Sequence, residues 1–277
     1  LDLPFLIAQI SDLHLKAGQR LTYGVVDTLG ALRRAVDHLN ASHPRPDIVV
    51  ISGDLVDFGR PDEYAVLQPE LARLHMPYYL VPGNHDKRQH LLTAFADHAY
   101  LPISADAPLD WVVDEHPVRL IGLDTTIPGA HGGQLLDRQL LWLDKQLAHR
   151  PDVPTLLVMH HPPFISGIGH MDRESFINAS ALEQVVARHP QVERLLCGHL
   201  HRPMQRRFGG SLSCVCPGTS HQIVLDLQHT APAHFNLEPA GYLLHRWQAQ
   251  QGLVTHNAVF GEYPGPYPFY DAHGLID

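Results

Sequence analysis

A layered α/β fold with a mainly parallel sheet is what this sequence predicts, on three observations. Six short apolar runs have the length of fully buried strands, amphipathic helical patterns lie between them, and Asp, Asn or His follows one run after another. With 277 residues, 44% hydrophobic and 18% charged, the chain can build one large core, so a single domain over 1–277 is expected.

The first run, FLIAQIS (5–11), leads into Asp12-Leu13-His14, and residues 25–39 then carry Val25, Leu29, Leu32, Val36 and Leu39 on one helical stripe. DIVVISG (47–53) leads into Asp54. The stretch 62–74 reads as helical, with Pro69 expected to kink or split it because proline lacks the N–H and clashes with the preceding turn. PYYLVPG (77–83) leads into Asn84-His85-Asp86, where Asp86 is placed to cap the next helix. VRLIGLDT (118–125) is followed by a helical pattern over 137–149, with Leu140, Leu141, Leu143 and Leu147 as its apolar side. TLLVMHH (155–161) ends in His160-His161, Asn178 reads as the cap of a helix to about Arg188, and RLLCGH (194–199) ends in His199 with His201 beyond it. From about 204 strands follow without helices: SLSCVCPG, then GYLLHRWQAQ and GLVTHNAVF as a hairpin turning near Gln251-Gly252. The loop 226–240 is too polar and Pro-rich for a core, and the aromatic tail 261–277 fits either a surface strap or a subunit contact.

The net charge of −9 argues against a nucleic-acid groove, because affinity for a phosphate backbone needs a basic surface. No apolar stretch approaches the roughly 20 residues that span a bilayer. The chain opens directly in an apolar strand without a leader pattern, which predicts a soluble, cytoplasmic protein; the first residue is not Met, so a trimmed start stays open. Cys197, Cys214 and Cys216 lie in apolar runs and read as reduced core thiols, since no second cysteine pair completes a zinc cage.

The 22 histidines carry meaning only through their spacing. In a parallel sheet the carboxyl ends of the strands lie along one edge, which would bring Asp12, His14, Asp54, Asn84, His160, His199 and His201 to one crevice. Imidazole, carboxylate and amide without thiolate form a donor set for borderline divalent metals. Seven ligands are too many for one hydrolytic ion and suit two: Asp12, His14 and His201 on one, Asn84, His160 and His199 on the other, and Asp54 between them. Two ions roughly 3.5–4 Å apart can activate water and clamp an in-line phosphoryl displacement. Counting four positive charges from the ions against Asp12, Asp54 and a hydroxide leaves one, which suits a singly charged phosphodiester. Asn84, as a neutral amide, preserves that charge and is a weak ligand that can yield to substrate.

The set Asp12-x-His14, Gly53-Asp54, Gly83-Asn84-His85-Asp86, His160-His161 and Gly198-His199-x-His201 resembles the calcineurin-like metallophosphoesterase superfamily. Within it, SDLHL, GRPDEY, VPGNHD, MHHPP, CGHLH and PGTSHQI resemble the class III cyclic nucleotide phosphodiesterases, the bacterial glycerophosphodiesterases of that class above all. The resemblance implies a four-layer αββα sandwich whose second sheet takes the strand-rich C-terminal part. It also implies that 226–240 acts as a cap or dimerisation element of a homo-oligomer, and that the two ions are drawn from iron, manganese, cobalt and zinc. The implied activity is hydrolysis of small phosphodiesters, glycerophosphodiesters or cyclic nucleotides, by attack of metal-bound hydroxide on phosphorus. His85 would assist the leaving group, His221 and Asn84 would face substrate, and Tyr23 would either line the entrance or be half-buried in the fold. Asp57 would either orient His85 or cap a helix. His161 and Asp86 are expected to be structural, His161 pointing to the strand face opposite His160. The rival readings are a non-catalytic scaffold on the same fold and a phosphomonoesterase or nuclease with the same centre.

Overall fold

A computed structural model describes residues 3–276; Leu1, Asp2 and Asp277, at the ends of the expected domain, lie outside the described residues. The first half alternates strand and helix: β1 (Phe5–Ile10), α1 (Thr28–Ala41), β2 (Ile48–Ile51), α2 (Pro61–Leu71), β3 (Tyr78–Leu80) and α3 (Arg88–Ala94). Next come β4 (Trp111–Val113), β5 (Arg119–Leu123), α4 (Asp137–His149), β6 (Thr155–Met159), α5 (Ala179–Ala187) and β7 (Val192–Cys197). The remainder is all strand: β8 (Met204–Phe208), β9 (Ser211–Val215), β10 (Gln222–Ile223), β11 (Phe235–Asn236), β12 (Gly241–Gln248), β13 (Gly252–Val259), β14 (Tyr270–Asp271) and β15 (Gly274–Leu275).

Two sheets stack face to face. One runs β13-β12-β1-β2-β3 and the other β4-β5-β6-β7-β9-β8, with β1 to β3 parallel in the first and β5, β6, β7 and β9 parallel in the second. Period-two alternation sorts the buried side chains into layers. On β6, Leu156 and Val158 join the core shared with the first sheet and α1 and α2, whereas Leu157 and Met159 join the core under α4 and α5. The result is the expected αββα sandwich. The Trp111 indole N–H crosses between the sheets to donate to the Leu80 carbonyl at 2.9 Å, and the Gln9 amide donates to the Cys197 carbonyl, also at 2.9 Å.

The structure corrects several expectations. Only β8 and β9 of the C-terminal part enter the second sheet; the β12-β13 hairpin pairs antiparallel with β1, because β1 otherwise presents an unpaired edge in the first sheet. Pro69 lies in the last turn of α2, two residues before its end, so it accompanies termination rather than splitting the helix. Asn178 precedes α5 but its side chain does not cap it; the amide is spent on the Leu135 backbone, accepting from N at 3.2 Å. The three cysteines are buried and free, as read from the sequence.

Segments 224–234 and 237–240 flank the short β10-β11 pair, and most of 225–234 is exposed. Residues 261–276 are exposed almost throughout, including Tyr267 and Phe269, with β14 and β15 as their only strands. No described helix is long and apolar enough to cross a membrane.

Candidate metal centre

All seven predicted ligands follow the carboxyl end of a strand, but not along one sheet edge. Asp12, His14, Asp54 and Asn84 follow β1, β2 and β3 of the first sheet, while His160, His199 and His201 follow β6 and β7 of the second. The crevice therefore opens between two stacked sheets, and residues from both reach the same point.

The turns that aim these side chains are strained. Outside glycine, positive φ occurs among the described residues at Asp12 (56°), His14 (44°), Tyr23 (51°), Asp54 (47°), His199 (71°) and His201 (46°). A Cβ clashes with the following carbonyl in that region, and such residues persist where the surroundings over-determine them, characteristically at functional sites. Five of the six are predicted ligands. The glycines of the motifs serve the same crowding: a Cβ at Gly83 would run into the Asp54 carboxylate, and one at Gly53, itself at φ 93°, would run into the His160 ring.

The side chains converge in several close groups. Asp12, His14 and Asp54 offer oxygen and nitrogen atoms within 4.8 Å of one another, as do His14, His201 and His221, and as do His160, His161 and His199. Asp54 Oδ2 lies between them, 3.3 Å from His160 Nε2 and 3.6 Å from His14 Nε2, while its Oδ1 accepts the His85 backbone N–H at 2.9 Å. Asp12 Oδ1 is 3.3 Å from His201 Nε2. Asn84 Oδ1 is 3.2 Å from His160 Nε2.

Backbone carbonyls fix two of the imidazoles. His160 Nδ1 donates to the Ser52 carbonyl at 2.8 Å, and His201 Nδ1 donates to the His221 carbonyl at 3.1 Å. Each bond places the proton on Nδ1 and leaves Nε2 to point its lone pair into the crevice, the arrangement that orients metal-bound histidines. His14 Nε2 and His201 Nε2 then face each other at 3.1 Å.

The electrostatics agree. Burial works to raise the Asp12 and Asp54 carboxyls, yet the His201 ring beside Asp12 and the His160 and His85 rings near Asp54 hold both below the usual carboxylate range. Burial opposes charge on His160, but the Asp54 carboxylate prevails and raises it to about 9. His199 is pushed down to about 3 by burial and by His160, and His221 to about 2 by burial and by His201 and His14. Charged carboxylates packed with rings that cannot all hold a proton form a donor set that divalent cations satisfy, with release of the proton on His160.

Around this group several assignments change. Asp86 does not cap α3, whose cap position is Lys87; its carboxylate accepts from Gly83 N at 2.9 Å, Leu55 N at 3.0 Å and the Tyr64 hydroxyl at 2.7 Å, tying the Asp54 loop to the Asn84 loop. His161 does not face away from His160, because β6 ends at Met159 and period-two alternation ends with it. The two rings are 4.8 Å apart, but Thr125 Oγ1 at 2.7 Å and the His131 carbonyl at 3.0 Å occupy both His161 nitrogens. Asp57 reaches His85 through its carbonyl, which accepts from Nδ1 at 2.7 Å; its carboxylate serves Lys16 Nζ at 3.1 Å and faces His14 Nδ1 at 3.4 Å.

The crevice opens into a cavity of about 570 Å³ lined by His14, Asp54, Asn84, His85, His199, His201 and His221 at its base. Tyr23 and Phe235, 4.9 Å apart, form an aromatic side, each also against the His221 ring. Sequence reasoning missed His131, which lines the same cavity from a Gly-flanked loop where no strand end marks it.

Sequence comparison decides the family: residues 5–203 match the calcineurin-like phosphoesterase model. The chain belongs to the calcineurin-like phosphoesterase family. Among calcineurin-like relatives, a protein of Arcobacter nitrofigilis described as a probable glycerophosphodiester phosphodiesterase is 38% identical over 98% of this chain and 100% of its own. A probable cyclic nucleotide phosphodiesterase of Rhodopseudomonas palustris is 34% identical, with 96% of each covered. The 3',5'-cyclic adenosine monophosphate phosphodiesterase of Escherichia coli K12 is 30% identical over 78% of this chain and 76% of its own. The fold is shared with a dimetal phosphatase of Danio rerio at a TM-score of 0.65 and 16% identity, covering 94% of this chain and 100% of that one.

Proposed function

We propose that this chain is a dinuclear metal-dependent phosphodiesterase of small diesters, glycerophosphodiesters foremost and cyclic nucleotides second. The observation that carries the proposal is the convergence of five positive-φ Asp and His residues from two sheets on one point, Asp12, His14, Asp54 and His201 of them buried. The family and the descriptions of its relatives supply the substrate class.

Asp12, His14 and His201 would hold one ion, Asn84, His160 and His199 the other, and Asp54 both; the donor set suits iron, manganese, cobalt or zinc. When bound, such a pair supplies a water-derived nucleophile at neutral pH and positive charge for the phosphoryl oxygens. Ser52 O and His221 O keep the His160 and His201 rings aimed inward. The Asn84 amide, half-buried and uncharged, is the ligand able to give way to substrate.

His85 is the proton donor. With Nδ1–H bound to the Asp57 carbonyl, Nε2 is left for the cavity that the ring lines. Burial opposes its charge, but Asp54 and Asp57 raise it above the ordinary histidine value, before any ion's charge is counted. A protonated Nε2 can pass its proton to the departing alkoxide. His221, backed by Tyr23 and Phe235, forms the substrate-facing wall.

Residues 1–277 would form one domain, with 226–240 as its cap: Ala233, His234 and Phe235, just before and at β11, line the cavity. The exposed aromatics of 261–276 fit a contact in a homo-oligomer, and the buried free thiols fit the cytoplasm. Competition between glycerophosphoethanolamine and cyclic AMP, on protein of known metal content, tests the substrate order; preference for cyclic AMP would reverse it. Light scattering of the purified chain tests the oligomer, and a monomer would refute it.

A further inference from the structure

The cavity extends well beyond the candidate ligands, and one stretch of its wall is basic. Arg173, in the short 3-10 turn Asp172–Glu174, lines it. Its guanidinium has no hydrogen bond or ion pair among the described residues. Arg173 is exposed, and the neighbouring carboxylates, Glu174 of the same cavity lining among them, are hydrogen-bonded elsewhere and form no ion pair with it among the described residues. Asp172 accepts from Ser166 N and Ser166 Oγ, both at 2.8 Å, and from Gly167 N at 2.7 Å, which also anchors the loop that carries Arg173. Glu174 Oε2 accepts the His131 backbone N–H at 3.0 Å.

Two more bases stand beside it. His170 and His234 line the same cavity, and His170 Nδ1 is buried with no hydrogen-bond partner. Burial, then the Arg173 guanidinium and the His234 ring, hold His170 below the usual histidine value against the pull of Asp172, so His170 stands there as a neutral ring beside the guanidinium. A guanidinium that lines a substrate cavity and has no ion-pair partner among the described residues is free to receive an anion through its paired N–H groups.

We propose that Arg173 is a specificity determinant that receives a second anionic group, a carboxylate or phosphate, carried on the alcohol half of the diester. The inference rests on the phosphodiesterase reading and goes beyond it by naming what the far wall selects. The aligned pair of probes is O-phosphoserine and O-phosphoethanolamine, which share phosphate and ammonium and differ only in the carboxylate.

Calorimetric titration of the metal-loaded full chain should show O-phosphoserine binding about tenfold more tightly, a ratio collapsing to within about twofold in Arg173→Ala and partly restored in Arg173→Lys. Cleavage should follow: kcat/KM for glycerophosphoserine should exceed that for glycerophosphoethanolamine and fall by the larger factor in Arg173→Ala, while metal content stays unchanged. Equal binding of the two probes, tighter binding of O-phosphoethanolamine, or a preference that survives Arg173→Ala would overturn the proposal. If the binding ratio holds while no diester is cleaved, the phosphodiesterase reading falls and the anion subsite stands.

Discussion

Replacing His85 by Ala should remove a proton donor while leaving the metal ligands in place, and the structure bounds both effects. The bond that ties residue 85 to Asp54 comes from its backbone N–H, at 2.9 Å, and survives truncation. What is lost is the Nδ1 bond to the Asp57 carbonyl, about 1 kcal/mol, and the edge contact with the His14 ring at 4.6 Å, about as much again. A loss of about 2 kcal/mol is small beside the roughly 5–15 kcal/mol that holds a domain folded. The catalytic loss is larger, since a positioned general acid contributes about 10²–10⁴-fold, or about 3–5 kcal/mol. It also depends on the leaving group. Glycerophosphoethanolamine, which expels an unstabilised alkoxide, should show the full loss, whereas bis(p-nitrophenyl) phosphate, which expels a stable phenolate, should lose less than about tenfold. Steady-state turnover on both substrates, with elemental analysis of the same samples, makes the assay. Equal losses on the two substrates, or metal lost in proportion to activity, would refute the donor role.

Other consequences follow from the same geometry. His245, buried between the sheets with Thr255 Oγ1 at 2.8 Å and Gln9 Oε1 at 3.1 Å, is held down to about 3 by burial and by Arg194. The folded chain therefore binds fewer protons there than the unfolded one: stability is intact above about 6.5 and falls toward pH 3 by up to about 1.4 kcal/mol per pH unit. In urea titrations from pH 7 to 5, His245→Gln should show a shallower fall than wild type; parallel slopes would contradict this. Gly53→Ala, with φ at 93° and the His160 ring in the way, should cost about 2–4 kcal/mol and weaken metal retention, read by thermal unfolding and metal content. Saturating metal should raise the melting temperature of the chelated protein, by about 3 kcal/mol in stability at a hundredfold excess over Kd; an unchanged transition would show that the ligand cluster binds nothing.

Much of the fold was legible because burial on both faces writes a strand as a continuous apolar run. All six runs became strands, and 137–149 became α4 with the predicted bounds. The short antiparallel β4 was missed because Trp111–Val113 is too brief to show a period. The placement of β12 and β13 was misread because strand order depends on which edge is free, a property of the assembled sheet. For the site, the convergence of the seven candidate ligands was legible because each follows a strand end. Asp86 and Asp57 were not, since their roles depend on loop-to-loop distances: a carboxylate after a glycine turn looks like a helix cap until Leu55, Gly83 and Tyr64 are seen around it. Arg173 and His131 lie in loops that approach the cavity only through tertiary packing.

The central claim is that Asp54 stands between two cation sites, 3.3 Å from a histidine of one group and 3.6 Å from a histidine of the other. Equilibrium dialysis of the chelated chain against manganese or zinc, followed by elemental analysis, tests it most directly. Two ions per chain at saturation, with diesterase activity appearing as the second site fills, is the predicted result. Saturation at one ion, or none, would contradict the account.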